Sequence, residues 1–222
     1  MDKPWYKKWW AVLLILILAF IAVLAVAFGF YIYNSYKNIK GGQSQASQVL
    51  QGVQYKAEGD GSSYWTGSAS PKVVIVEFAD YNCPLCKNSY TKIREIGLKY
   101  KKDVKIIHRD LPILENSLEL SLAGRCAGEQ GLFWLMHDKL FQNQGKFTID
   151  QLPELANQIG ADKARFNQCL SDQKYLPQIK KDFSDAENFG ITGTPTWFIN
   201  GYKVEGDIPY NLFIQIVENL LK

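Results

Sequence analysis

The chain has 222 residues, of which 47% are hydrophobic, 14% aromatic and 21% charged, a composition that can bury a core and excludes disordered, collagenous and low-complexity classes. The formal net charge of +3 is gathered at the start: five of the 25 Lys and Arg (Lys3, Lys7, Lys8, Lys37, Lys40) and one acid, Asp2, fall in residues 1–40, leaving 20 basic against 21 acidic residues, a net of −1, for the rest. A near-neutral body lacks the concentrated basic field that phosphate binding needs, which excludes nucleic acid as a partner.

From Trp9 to Tyr33 the sequence is apolar and uncharged, long enough at about 1.5 Å per residue to cross a ~30 Å hydrocarbon core. Trp5, Tyr6, Trp9 and Trp10 flank one end and Tyr31, Tyr33 and Tyr36 the other, the positions amphipathic rings take at headgroup depth. A cleaved signal peptide is the competing reading, with Lys3, Lys7 and Lys8 as its basic region and Ala25-Val26-Ala27 as its cleavage site. Against it, the apolar run exceeds the usual ~7–15 residues and continues past that site. The expectation is a cytoplasmic N-terminus over residues 1–8, a transmembrane helix over 9–33 in the cell (inner) membrane, and an extracytoplasmic C-terminal body. Three Lys precede the span and two follow it closely, a bias in that direction.

Residues 34–69 contain the polar, Gly- and Ser-rich runs Gly41 to Gln48 and Gly59 to Ser63, which cannot bury enough apolar area to fold alone. They read as a linker with short edge strands at Val53–Lys56 and Tyr64–Thr66. Residues 70–222 form the domain. Lys72 to Ala79 is a continuous, β-branched apolar run, the mark of a central strand covered on both faces. Asp80-Tyr81-Asn82 is a turn, and a helix is expected from Cys83 to Lys101 with Pro84 at its first position. Val104 to Arg109 is the second strand of a β-α-β unit. Helices follow over Glu115–Gln130, Leu132–Phe141, Ile149–Ile159, Lys163–Leu170 and Tyr175–Phe189, an all-helical insertion over about residues 115–188. The chain returns to strand at Thr196–Ile199, turns at Asn200-Gly201, the strongest short hairpin signal, continues with Tyr202–Glu205 and ends in an amphipathic helix, Pro209–Leu221. The fold class is α/β.

Four cysteines are present, two of them spaced Cys83-Pro84-Leu85-Cys86. Such a pair can be half a zinc site, a redox pair or two buried thiols. Structural zinc wants a second C-x-x-C or a spaced histidine pair; Cys126, Cys169, His108 and His137 stand apart, so no metal is expected. A cysteine that opens a helix faces unpaired N–H groups and the positive end of the helix dipole, which favour thiolate. Cys83 is therefore the attacking sulfur and Cys86, one turn inward, the resolving one. Glu77 lies six positions earlier in the central strand, where a buried carboxylate is costly unless it serves a purpose.

Strand, C-P-x-C, helix, strand, helical insertion and then Gly193-Thr194-Pro195-Thr196 before a hairpin resembles the thioredoxin superfamily, in particular its DsbA-like branch of thiol:disulfide oxidoreductases, over Lys72 to Lys222. The resemblance implies a cis Pro195 that sets the Thr194 backbone beside Cys83, where an extended substrate peptide can add as a strand. It implies proton transfer by Glu77 near the resolving thiol, with a partly solvated structural acid as the other reading. The strong oxidases of that branch often carry His between the cysteines; Leu85 takes that place here, which implies a less stabilised thiolate and a lower potential. Some members have a second cysteine pair in the insertion, which makes Cys126 and Cys169 candidates for a structural disulfide; their helix-core spacing alone also fits two buried free thiols. Phe133 to Phe141 resembles a segment common in the branch and reads by periodicity as a core helix that includes His137. His108 and Arg109, at a strand end, are candidates for the active-site rim.

The resulting expectation is a membrane-tethered extracytoplasmic oxidoreductase that donates disulfides to cysteine-containing secreted or membrane proteins and is itself reoxidised by a quinone-linked membrane partner. The alternatives are a reductase or isomerase of the same fold, served by an electron-donating membrane partner, and a tethered peptide-binding chaperone. No bound cofactor is implied, because a redox-active disulfide carries the two electrons.

Overall fold

The computed structural model describes residues 9–222, and two units divide after Gln45. The expected cytoplasmic stretch, residues 1–8, lies outside the described residues. Helix α1 runs Trp9–Val49, and within it Val12–Asn38 is long and apolar enough to cross a membrane. Its large apolar side chains, from Val12 to Tyr36, are exposed, a surface unfavourable in water and at home in hydrocarbon. The helix does not end at Tyr33. It continues through Gly41 and Gly42 to Val49, where Ala46, fully buried, and the partly buried Val49 and Leu50 recur at helical spacing and join a core cluster with Phe213 and Ile216. The polar run still lacks a core of its own; its last turn is helical because it borrows one.

The second unit holds a five-stranded sheet of order β1-β3-β2-β4-β5: β1 Tyr64–Gly67, β2 Val73–Ala79, β3 Val104–Asp110, β4 Thr196–Ile199 and β5 Tyr202–Glu205. β2 and β3 are parallel and the other pairings antiparallel, so β2 is central as its composition requires. The expected strand at Val53–Lys56 reduces to one bridge, Gln54 with Tyr202. The Asn200-Gly201 turn has φ of 46° and 86°, the two left-handed residues a tight hairpin needs.

Strand alternation sends side chains to two different cores. Val73, Ile75, Val104 and Ile106 point with Trp197 and Ile199 toward α2 (Pro84–Lys99) and α8 (Tyr210–Leu220). Val76, Phe78, Ile107 and Phe198 form the opposite cluster with Ala186 of α7 (Leu176–Asn188). Beyond the strand ends, α3 (Ser117–Gly128), α4 (Phe133–Gln142), a short 3₁₀ turn, α5 (Leu152–Gln158) and α6 (Lys163–Ser171) build a third cluster, in which Leu120, Met136, Phe141, Leu152 and Phe166 belong to one core with Cys83 and Cys86. A buried ion network ties insertion to sheet: Arg125 of α3 meets Asp110 of β3 and Asp182 of α7, and Arg109 meets Asp182 and Asp185.

Candidate redox site

The site begins where β2 ends. Asp80, fully buried, accepts hydrogen bonds from the N–H groups of Asn82 (2.7 Å), Ile113 (2.8 Å) and Leu114 (2.9 Å) and from the Ser117 hydroxyl. It thereby fixes the strand-to-helix turn against the loop after β3. Cys83 is the N-cap of α2, with extended φ and ψ of −73° and 122°, and Pro84 follows inside the first turn. The Cys83 sulfur accepts the Cys86 N–H at 3.4 Å, one of the donors a helix start leaves unpaired. As a thiol it donates to the Thr194 carbonyl oxygen at 3.2 Å. The Thr194-Pro195 bond is cis. From the insertion, Gln144 Nε2 donates to the carbonyls of Tyr81 (2.7 Å) and Cys83 (3.0 Å), clamping the loop from the other side.

These contacts separate the two thiols electrostatically. Hydrogen bonding from Cys86 to the Cys83 sulfur, helped by the Thr194 side chain and the backbone N–H groups of Cys86 and Leu85, brings Cys83 down to about 6 against the opposing effect of burial. Cys86 is pushed far up, first by its own burial and then by Cys83 and the Glu77 charge. Burial also raises Glu77 to about 7, with His108 opposing and Cys83 adding. Near neutral pH the Glu77 carboxyl can thus hold or release a proton. Its Oε1 has no hydrogen-bond partner. The pair as described is reduced: both Cys83 and Cys86 are free.

The candidate residues fall into place unevenly. Cys83, Cys86, Thr194 and Pro195 come together, with Pro84 and Leu85 exposed on the outer surface of the loop. Glu77 lies on the α2 side of the sheet, paired in register with His108. Cys126 and Cys169 are joined as a disulfide, Cα–Cα 5.7 Å, between α3 and α6. The rim expected of His108 and Arg109 is corrected on both counts. His108 is 1% exposed and stacks on Tyr81 within the fold. Arg109, one residue on, points to the opposite face, where it crosses the Phe78 ring and pairs with Asp182 and Asp185 of α7. Strand alternation puts consecutive residues on opposite faces, so both could not reach one rim. His137 is buried on α4, its Nδ1 2.9 Å from Asp138 Oδ1, and burial holds it down to about 4.

Two residues of the site go unmarked in the sequence reading. Asp80 reads as a turn residue, and its type does signal a side chain that caps backbone N–H groups. Gln144 sits in a polar loop with no pattern to separate it from its neighbours.

A family model described as Thioredoxin matches residues 60–219. A curated relative, named Na(+)/H(+) antiporter NhaA 3 of Salinispora tropica, is 33% identical over 149 residues; the match covers 66% of this chain and 22% of that protein. The chain therefore spans less than a quarter of the length of that relative. Among solved structures, the thiol-disulfide exchange protein alpha-DsbA2 of Wolbachia pipientis superposes with a TM-score of 0.68 at 24% identity, over 83% of this chain and 98% of that one. BdbD from Bacillus subtilis, in its oxidised form, gives 0.65 at 25% identity over 72% and 93%.

Proposed function

We propose that this chain, which belongs to the thioredoxin family and has the fold of its DsbA-like thiol:disulfide oxidoreductases, is a membrane-tethered disulfide donor working outside the cytoplasm. One observation carries the reading: Cys83 caps α2 with its sulfur on the Cys86 N–H at the start of the helix. That arrangement makes Cys83 the stable leaving thiolate of the pair.

In the oxidised protein a substrate thiolate attacks the Cys83 sulfur of the Cys83–Cys86 disulfide. A mixed disulfide forms between substrate and Cys83, and Cys86 departs with the electron pair. Its basicity, raised by burial, calls for a proton at once, and Glu77 at about 7 can supply it. A second substrate thiolate then attacks the substrate sulfur of the mixed disulfide, and Cys83 leaves as a thiolate. The substrate has lost two electrons and the pair has gained two. A quinone-linked membrane partner takes them back. The substrates are cysteine-containing secreted or membrane proteins, seated as an added strand along Thr194. The helix Val12–Asn38 supplies the tether.

The exposed Leu85 favours a second direction, reduction or isomerisation fed by an electron-donating membrane partner, since it puts no cation beside the thiolate. Direction is tested by mixing the oxidised full chain in detergent with a reduced, unfolded two-cysteine substrate. Disulfide transfer read by mass, lost in Cys83→Ser, supports the donor; no transfer from the wild type refutes it.

A further inference from the structure

The buried face of the sheet below the redox pair carries a second cluster that thiol exchange does not require in full. Glu77, His108 and His137, from β2, β3 and α4, each offer one ligating atom, and these atoms all lie within 4.8 Å of one another. The three residues are no more than 1% exposed. Burying a polar atom without a partner is unfavourable by about 1–3 kcal/mol each, yet Glu77 Oε1, both nitrogens of His108 and Nε2 of His137 have no hydrogen-bond partner. Lone pairs from three elements converge on one place and are left unsatisfied by protein.

The outer contacts of the two histidines sharpen this. His137 Nδ1 lies 2.9 Å from Asp138 Oδ1, and Asp138 is itself held by Arg94 at 3.2 Å. An ionised carboxylate only accepts, so Nδ1 carries the proton and Nε2 presents a bare lone pair to the cluster. His108 Nε2 lies 3.5 Å from Asp110 Oδ1, while Asp110 is held by Arg125 at 2.6 Å. His137 thus has a hydrogen-bonded carboxylate behind it that an arginine fixes, the arrangement that orients a metal-ligating histidine and sets its tautomer, whereas the Asp110 contact is too long for a hydrogen bond and leaves both His108 nitrogens unpartnered. Tyr81, whose ring lies 5.4 Å from that of His108 and 5.8 Å from that of His137, encloses the cluster on a further side.

We propose that Glu77, His108 and His137 form a buried binding site for a divalent transition-metal ion, zinc by its donor set, beneath the redox pair. Two imidazoles and one carboxylate are a known three-ligand set for zinc, with water at the fourth position. The sequence gives no spacing signal for it, because the ligands lie on three elements and meet only in the fold. The site shares Glu77 with the proton path to Cys86, so a bound ion would take that carboxylate out of proton transfer, but it does not rest on the direction of electron transfer.

The test uses the full chain, oxidised so that Cys83 and Cys86 hold no thiolate, expressed in zinc-supplemented medium because the ligands are buried. Metal content after dialysis against chelator is measured, and the same protein is expressed with Co²⁺ for its absorption spectrum. The site predicts about one zinc per chain, ligand-field bands of cobalt without a sulfur charge-transfer band, and loss of both in His108→Gln and His137→Gln. Asp138→Asn, which touches no metal, should weaken retention roughly 10–100-fold. Should the histidine variants fail to fold, the wild-type cobalt spectrum and the Asp138→Asn retention decide. Absence of zinc from the oxidised wild type, retention undiminished in folded histidine variants, or a cobalt spectrum with sulfur charge transfer that vanishes in the Cys83→Ser, Cys86→Ser chain would each overturn the site.

Discussion

The sulfur of Cys83 lies 3.2 Å from the carbonyl oxygen of Thr194, a residue 111 positions later in the chain. The contact has opposite meanings in the two protonation states. A thiol donates to that carbonyl, whereas a thiolate meets only another acceptor. The low value of Cys83 is therefore achieved despite this contact, through Cys86, the Thr194 side chain and the N–H groups at the start of α2. Alkylation of the reduced protein should consequently titrate with a midpoint near 6 at Cys83, while Cys86 stays unmodified. A midpoint in the ordinary thiol range would mean that the α2 N-terminus does not stabilise the thiolate.

Glu77 has the reverse sign. Burial raises its carboxyl from 4.5 to about 7, so the folded state binds a proton that the unfolded state has lost. A carboxyl raised in this way contributes its full stability below pH 4.5 and loses it as pH rises to 7, on the order of 3 kcal/mol in all. Glu77→Gln mimics the protonated form. It should match wild type at pH 4 and exceed it at pH 8, in urea unfolding of the reduced proteins with chelator present. Equal stability of the two at pH 8 would show that Glu77 titrates as an ordinary surface acid.

Removing the second disulfide tests a different term. Cys126 and Cys169 are 43 residues apart, and closing such a loop restricts the unfolded chain by about 4 kcal/mol. Cys126→Ala with Cys169→Ala should lower stability by a comparable amount, less whatever the apolar cluster around them recovers. Exchange through Cys83 should persist in whatever fraction remains folded.

Gln144 makes the clamp on the active-site loop falsifiable by itself. Gln144→Ala leaves the Tyr81 carbonyl without this donor, while the Cys83 carbonyl keeps the Lys87 N–H at 3.1 Å. A loss of roughly 1–3 kcal/mol is expected, together with faster hydrogen exchange in residues 81–83 than in the sheet. Unchanged protection there would make the contact incidental.

Leu85 sets the electronics of the loop from outside. Leu85→His places a titratable cation beside the Cys83 sulfur, which should lower the thiol's value further and make the pair a stronger oxidant. Equilibration of variant and wild type in the same glutathione buffers reads the difference directly; a more reducing variant would contradict it.

Much of this was legible in the chain because it is encoded locally. The β-branched run of β2, the Pro84 helix start, the Asn200-Gly201 hairpin and the separators of the insertion each act within a few residues, and their boundaries fall close to the expected ones. The Thr194-Pro195 step was legible through resemblance, since no local rule brings it to Cys83. What stayed hidden depends on which face a side chain takes and what lies opposite. The end of α1 is helical because Ala46 finds a core, not because of its own polar neighbours. Arg109 leaves the rim because Asp182 and Asp185 of α7 stand on the other side of the sheet. Glu77, His108 and His137 meet only once β2, β3 and α4 are assembled.

The central claim, that Cys83 and Cys86 form a disulfide poised to be given away, is tested most directly by the reduction potential of the pair in the full chain, measured by equilibration with glutathione while the Cys126–Cys169 bond stays closed. A donor predicts a potential more oxidising than about −180 mV. A value at or below about −270 mV, in the range of a cellular reductant, would contradict it and make the pair an electron source.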